Sequence, residues 1–247
     1  MRITRLVAGT VTAGLLGITP LAVTAPARAD GQTYTPVVNA KLTITSSPYE
    51  APYMYGGGFY VSGDITDPSG IEHPSGGQAF LQVITASNPT WTTIATDDSP
   101  GYLFFDGDFE FTENAQYKVV FTGSTAQGAW DDSYVAGESA PIAAPVTRKV
   151  EIGNAKARLT IKGKVKPDYK RKKVKVQIKK GKRFVKFKSV KTTRKSTFQV
   201  RLPAPRRGKK LYFKITVPGN TQFASYSEVW YTASYRSSIT PRVAPLR

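Results

Sequence analysis

From residue 30 onward, hydrophobic positions recur every second residue in short runs, and Gly, Pro, Asn, Asp and Ser separate the runs. That period places alternate side chains on opposite faces of an extended strand, and no window keeps the three-and-four spacing of an amphipathic helix. An all-β chain is expected. In the C-terminal half the alternation assigns the inward faces: Leu159, Ile161 and Val165; Val174, Val176 and Ile178; Phe198, Val200 and Leu202; Phe213, Ile215 and Val217. These are its expected core.

An internal repeat runs beneath the strand pattern. Val61-Ser62-Gly63-Asp64-Ile65 reads against Ile161-Lys162-Gly163-Lys164-Val165, and Pro68 and Pro167 follow within a few residues. Ala79-Phe80-Leu81-Gln82-Val83 falls on Val174-Lys175-Val176-Gln177-Ile178, and Trp91 then stands against Phe184. Tyr117 to Gly123 aligns without gaps on Phe213 to Gly219. Order and spacing are kept, so duplication is the economical account. Each copy offers about seven short strands, a count that suits a β-sandwich.

The first residues differ from the rest. Arg2 and Arg5 precede an apolar stretch from Leu6 to Ile18, and Ala27-Arg28-Ala29 supplies a small-x-small cleavage pattern. Residues 1–29 are therefore expected to be a secretory signal peptide, and the protein to be secreted, extracellular or associated with the cell envelope. Pro20 and Pro26 interrupt the apolar run, and no later segment reads as a transmembrane helix. Pro141 and Pro145, set among small residues, mark the expected linker. The organisation that follows is an acidic sandwich over 30–140, a linker over 141–147, a basic sandwich over 148–236 and a flexible tail over 237–247.

Charge sharpens this division. Residues 30–145 hold two basic residues against fourteen acidic ones, a net −12, whereas 146–247 hold thirty against three, a net +27. Basic residues crowd the turns and the outward strand positions: Lys170, Arg171, Lys172 and Lys173; Lys175, Lys179, Lys180, Lys182 and Arg183; Lys186 and Lys188; Arg206, Arg207, Lys209 and Lys210. Lys162, Lys164, Arg201 and Lys214 also read as outward. Like charges opposed across strands cost up to about 1 kcal/mol per pair, so a polyanion would relieve the repulsion. The alternative is a solubilising face whose lysines guard strand edges. The −12 and +27 halves could also make an electrostatic contact with each other.

Residues in the pattern Gly163-Lys164-Val165-Lys166-Pro167, with Val174-Lys175-Val176-Gln177, Phe198 and the run Phe213 to Gly219 ahead of Phe223-Ala224, resemble tandem immunoglobulin-like repeats of secreted and surface proteins of Gram-positive bacteria. The resemblance covers the second half well and the first half loosely, since Tyr49 to Phe59 and Asp97 to Glu113 depart from the usual lengths. It implies tandem immunoglobulin-like sandwiches serving as spacer, adhesin or wall-associated modules, without catalytic residues.

Catalytic readings are thin. The chain has no cysteine, which excludes thiol nucleophiles and disulfides. His73 is the sole histidine, and no Gly-x-Ser-x-Gly elbow accompanies it. Asp106, Asp108 and Glu110 would share one face of a strand about 7 Å apart, with Phe109 and Phe111 turned inward, but no opposing acid or cleft is indicated. Asp97, Asp98, Asp106 and Asp108 form a candidate calcium site of loop carboxylates, without the spacing of an EF-hand. Tyr53, Tyr55, Trp91 and Trp130 are candidates for stacking on carbohydrate. No helix-turn-helix, zinc module or aromatic RNA-binding signature points to sequence-specific nucleic-acid binding. The expectation is a non-enzymatic adhesion or envelope protein whose basic half binds an anionic cell-wall or extracellular polymer. A carbohydrate-binding module or a structural spacer is the alternative.

Overall fold

The computed structural model describes residues 31–205 and 209–233, together with the backbone of 243–245. The segment expected as a signal peptide, Arg206 and Arg207 lie outside the described residues. The first half comprises β1 (Thr33–Tyr34), β2 (Val37–Ile44), β3 (Tyr53–Met54), β4 (Gly58–Thr66), β5 (Ala79–Thr85), β6 (Thr92–Asp97), β7 (Tyr102–Glu110), β8 (Ala115–Phe121), β9 (Ser133–Tyr134), β10 (Gly137–Glu138), β11 (Ile142–Ala144) and β12 (Val146–Thr147). The second comprises β13 (Lys149–Asn154), β14 (Thr160–Lys166), β15 (Lys173–Lys180), β16 (Arg183–Lys191), β17 (Thr197–Arg201), β18 (Lys210–Val217), β19 (Tyr226–Ala233) and β20 (Val243–Pro245). The described residues are all-β, with no helix among them and none long and apolar enough to cross a membrane.

Each half packs one sheet against another, an arrangement consistent with a β-sandwich. In the first half β2-β4-β7 faces β6-β5-β8, with β10 and β11 both paired to β8. In the second, β13-β14-β17 faces β16-β15-β18-β19-β20. Val61, Phe105, Leu81 and Val119 bring both sheets of the first half into one core, and Ile161, Phe198, Val176 and Ile215 do the same in the second. Strand β15 illustrates the cause: Val174 and Val176 are wholly buried while Lys173, Lys175 and Lys179 stay exposed. Burial of each such valine contributes about 1.5–3 kcal/mol.

The two halves repeat one another in detail. Register shifts fall between Leu81 and Gln82 on β5 and between Val176 and Gln177 on β15, at positions matched in the sequence repeat. Opposite Gln82 stands Lys118, and opposite Gln177 stands Lys214. The Lys118 ammonium lies 4.8 Å from the Trp91 ring centre, and that of Lys214 lies 5.1 Å from Phe184. Gly63 and Gly163 are both crowded: a Cβ would come within 1.9 Å of the Asn39 carbonyl oxygen or 2.3 Å of the Phe198 ring.

Every inward position read from alternation in the second half is buried except Leu159. Leu159 is half-buried just ahead of β14, in a left-handed conformation at φ 55°. Its carbonyl accepts the Leu202 amide at 2.8 Å, so the backbone turns there and leaves the strand alternation.

The stretch expected as a linker is itself paired. Strand β11 lies antiparallel to β8, with Ile142 opposite Tyr117, and β12 runs parallel to β3, with Val146 opposite Tyr53. The turn between β18 and β19 closes onto the other side of β12, where Ala224 donates to the Val146 carbonyl at 2.7 Å. Asn114 joins all three segments. Its amide nitrogen donates to the Thr221 carbonyl at 2.8 Å and its side-chain oxygen accepts the Val146 amide at 2.8 Å. Phe223, from this turn of the second half, is buried in the first half's core. Within the stretch expected as a tail, β20 pairs antiparallel with β19.

Candidate polyanion interface

Strand period and register together decide which side chains share the solvent face of the β16-β15-β18-β19 sheet. On β15 this face carries Lys173, Lys175, Gln177 and Lys179, opposite Lys191, Ser189, Lys186 and Phe184 of β16. On β18 the outward positions are Lys210, Tyr212, Lys214 and Thr216, beside Ala233, Tyr231, Val229 and Ser227 of β19. Lys173 directly faces Lys191, and Lys180 faces Arg183 across the hairpin, so like charges are opposed on neighbouring strands.

Aromatic rings hold several of these ammonium groups in place. Lys179 lies 5.5 Å from the Tyr212 ring centre, Lys210 lies 4.3 Å from Tyr231, and the two tyrosine rings are 6.1 Å apart. A lysine resting on a ring face has already given up part of its rotamer freedom, so less remains to be lost when an anion binds. The sequence reading missed Tyr212 and Tyr231. Their alternation with Phe213 and Trp230 was the available signal.

Among the described residues, no carboxylate shares this face. Glu151 lies on the opposite sheet, paired with Lys166 at 2.7 Å, and that hydrogen bond holds its carboxyl below the usual carboxylate range. Asp168 sits in the following turn and pairs with Lys170. Glu228 occupies a core-side register position opposite Ile215 and accepts the Tyr226 hydroxyl. In the first half the equivalent of Lys214 is answered differently, since Lys118 is bound by Glu138 of β10 at 2.6 Å.

The sequence-predicted cations fall into distinct places. Lys173, Lys175, Lys179, Lys186 and Lys210 are on the sheet face, and Lys209 immediately precedes β18. Lys180, Lys182 and Arg183 form the β15–β16 hairpin, and Lys170, Arg171 and Lys172 the turn before β15. Lys188 departs from expectation. The register shift at Val176 and Gln177 moves it opposite Val176, on the core-side register, while Lys186 stays outward opposite Gln177. Lys188 remains exposed on a strand that is at the sheet edge among the described residues, where an inward-register charge discourages edge-to-edge pairing.

The carbohydrate candidates are not gathered into one shelf. Tyr53 stacks on Phe111 with ring centres 4.6 Å apart, and Tyr55 meets Phe223 edge-on at 6.4 Å, both at the junction of the halves. Trp91 lies under Lys118, and Trp130 is exposed in the loop before β9. The calcium candidates are divided as well. Asp97 accepts the Ser99 and Phe104 amides at 2.8 and 3.1 Å, and Asp98 accepts the Gln78 side-chain amide at 2.9 Å. Asp106 and Asp108 stand in the irregular stretch between Phe105 and Phe109, which opposes Tyr60. No group of three or more His, Asp or Glu side chains suited to a metal occurs among the described residues. His73 Nδ1 lies 2.8 Å from the Ile65 carbonyl oxygen, and its ring packs on Tyr102.

Arg148 is a functional-looking residue that the charge count did not distinguish. It is buried at the junction, with its guanidinium 4.1 Å from the Phe223 ring centre and 5.0 Å from Tyr169. Burial lowers its affinity for the proton, against the favourable field of Tyr169. It is held between two rings of the second half, one of which, Phe223, is buried in the first half's core, and its burial withholds it from any external anion.

No known protein family matches the chain, and no curated protein matches it. Among solved structures, one from work titled "Structural basis of neurohormone perception by the receptor tyrosine kinase Torso" aligns over 80% of this chain and 75% of its own, at 11% identity and a TM-score of 0.19.

Proposed function

We propose that this chain is an exported, non-enzymatic adhesion or envelope-associated protein whose second half binds an anionic polymer of the cell surface. Each half is, in this reading, an immunoglobulin-like sandwich. A three-stranded sheet facing a five-stranded one in each half supports that assignment, with β2-β4-β7 and β13-β14-β17 as the smaller sheets and a crossover from β6 to β7 or β16 to β17.

The observation that carries the polymer reading is the single-signed sheet face. Lys173, Lys175, Lys179, Lys186, Lys191, Lys210 and Lys214 share it with no carboxylate among the described residues. Neighbouring outward residues along a strand are about 7 Å apart and adjacent strands about 4.8 Å apart, a lattice able to follow a flexible polyanion. Such contacts release counterions, so affinity falls as salt rises.

The test is a salt titration of the full chain on purified cell walls, with and without their anionic polymers. Steep loss of binding with salt, loss on removing the polymers, and a shallower salt slope in Lys175→Gln/Lys186→Gln/Lys214→Gln support the proposal. Binding indifferent to the polymers or to this triple variant overturns it.

A further inference from the structure

A different surface, on the acidic half, has the opposite character. On the solvent side of the β2-β4-β7 sheet, Tyr102 and Phe104 are 75% and 56% exposed, and Phe104 lies 5.3 Å from Tyr60. They belong to β7, which among the described residues is paired to β4 alone. The register passes from Phe59 opposite Phe109 to Val61 opposite Phe105, so Asp106, Gly107 and Asp108 bulge against Tyr60. A bulge of this kind turns its side chains away from the regular pleat. The result is an open groove of about 730 Å³ lined by Tyr60 and Phe104 together with Asp106, Asp108 and Glu110. These three carboxylates are exposed and carry no hydrogen bond or ion pair among the described residues.

We propose that this aromatic and acidic groove docks the lysine-rich β15–β16 hairpin of a second copy of the chain, head to tail. The hairpin presents Lys179, Lys180, Lys182 and Arg183, all exposed, around Gly181 in a left-handed turn. Cationic heads meet the groove carboxylates, and lysine stems and the guanidinium lie along Tyr102 and Phe104. The turn before β15 is a poorer occupant, because Asp168 already pairs Lys170 and Lys172 rests on Tyr169.

A second copy is the occupant because the hairpin of the same chain lies at the end of its sheet remote from the junction. Lys179 lies over Tyr212 near the start of β18, whereas the junction turn follows its end at Val217. Five residues of strand put the hairpin about 17 Å from that turn, at the far end of the sheet. No ion pair joins the halves among the described residues. A heterologous contact of this type leaves a free groove and a free hairpin on every open assembly, so it propagates into chains or closes into rings.

Sedimentation of the full chain across protein concentration at low salt tests the proposal. Concentration-dependent association is expected, weakened at least about tenfold by Asp106→Asn/Asp108→Asn/Glu110→Gln, by Phe104→Ser, or by Lys180→Glu/Lys182→Glu. These side chains are exposed, and unchanged circular dichroism verifies folding. Mixing the groove triple variant with the hairpin variant separates this geometry from general charge attraction, since each retains one intact surface. A one-to-one heterodimer that grows no further supports the proposal. A monomeric wild-type chain, association insensitive to the groove variants, or the absence of that heterodimer overturns it.

Discussion

Replacing Asn114 by alanine should loosen the joint between the halves. The side chain accepts the Val146 amide and donates to the Thr221 carbonyl, each at 2.8 Å. Val146 is wholly buried, so its amide would be left without an acceptor, at a cost of about 1–3 kcal/mol. Loss of the Thr221 bond, at an exposed turn, adds about 0.5–1.5 kcal/mol. The combined loss of about 1.5–4.5 kcal/mol corresponds to a drop of about 3–18 °C in the unfolding temperature of a chain this size. The neighbouring Asn114 main-chain bonds, to Gln222 and Ala86, survive the substitution. Hydrogen exchange by mass spectrometry should therefore show faster exchange confined to 142–147 and 221–224. The strands that carry Phe198 and Val200 should keep their protection. A variant within about 0.5 kcal/mol of wild type, with unchanged exchange over 142–147, would refute the assignment of Asn114 as the clasp.

Gly163→Ala forces a methyl against the Phe198 ring and should cost about 1–3 kcal/mol in urea unfolding, while the sheet order survives. Asp67→Ala should cost about 1.5–3 kcal/mol, because its buried carboxylate accepts the amides of Ser69, Ile71 and Glu72 and the Ser69 hydroxyl; proteolysis should then open the 67–72 turn. Burial opposes ionisation of Asp67, but those hydrogen bonds outweigh it and hold the carboxyl well below its usual range. Its contribution is therefore present above the unfolded value near 4 and is lost as pH falls toward the folded one, a loss that Asp67→Asn should abolish in acid unfolding curves. Tyr134 has the opposite sign: burial, and then the charges of Asp67, Asp132 and Glu72, push its hydroxyl up to about 12. The folded chain keeps that proton while the unfolded chain loses it near pH 10, so stability should fall from pH 10 to 12, and Tyr134→Phe should flatten the alkaline part of the curve.

Strand content, the inward faces of the second half, the repeat and the division of charge were legible in the sequence, because each depends on a local period of two or on counting. That period correctly placed Val174, Val176, Phe213 and Ile215 inside and Lys175, Lys179 and Lys214 outside. Where the local period broke, only the partner strand decided. The shift at Val176 and Gln177 sent Lys186 and Lys188 to opposite sides, and the bulge opposite Tyr60 gathered Asp106, Asp108 and Glu110 into one groove with Tyr60 and Phe104. The junction lay further out of reach. Tyr53 looked like a stacking residue until Phe111 covered it, and Arg148 counted as one more cation until Phe223 and Tyr169 enclosed it. Asn114 and Thr221 are 107 residues apart, and nothing in either segment announces the other. Local alternation sets what each strand buries, whereas contacts between distant segments decide where strands slip, where the halves lock together and which charges stay in solvent.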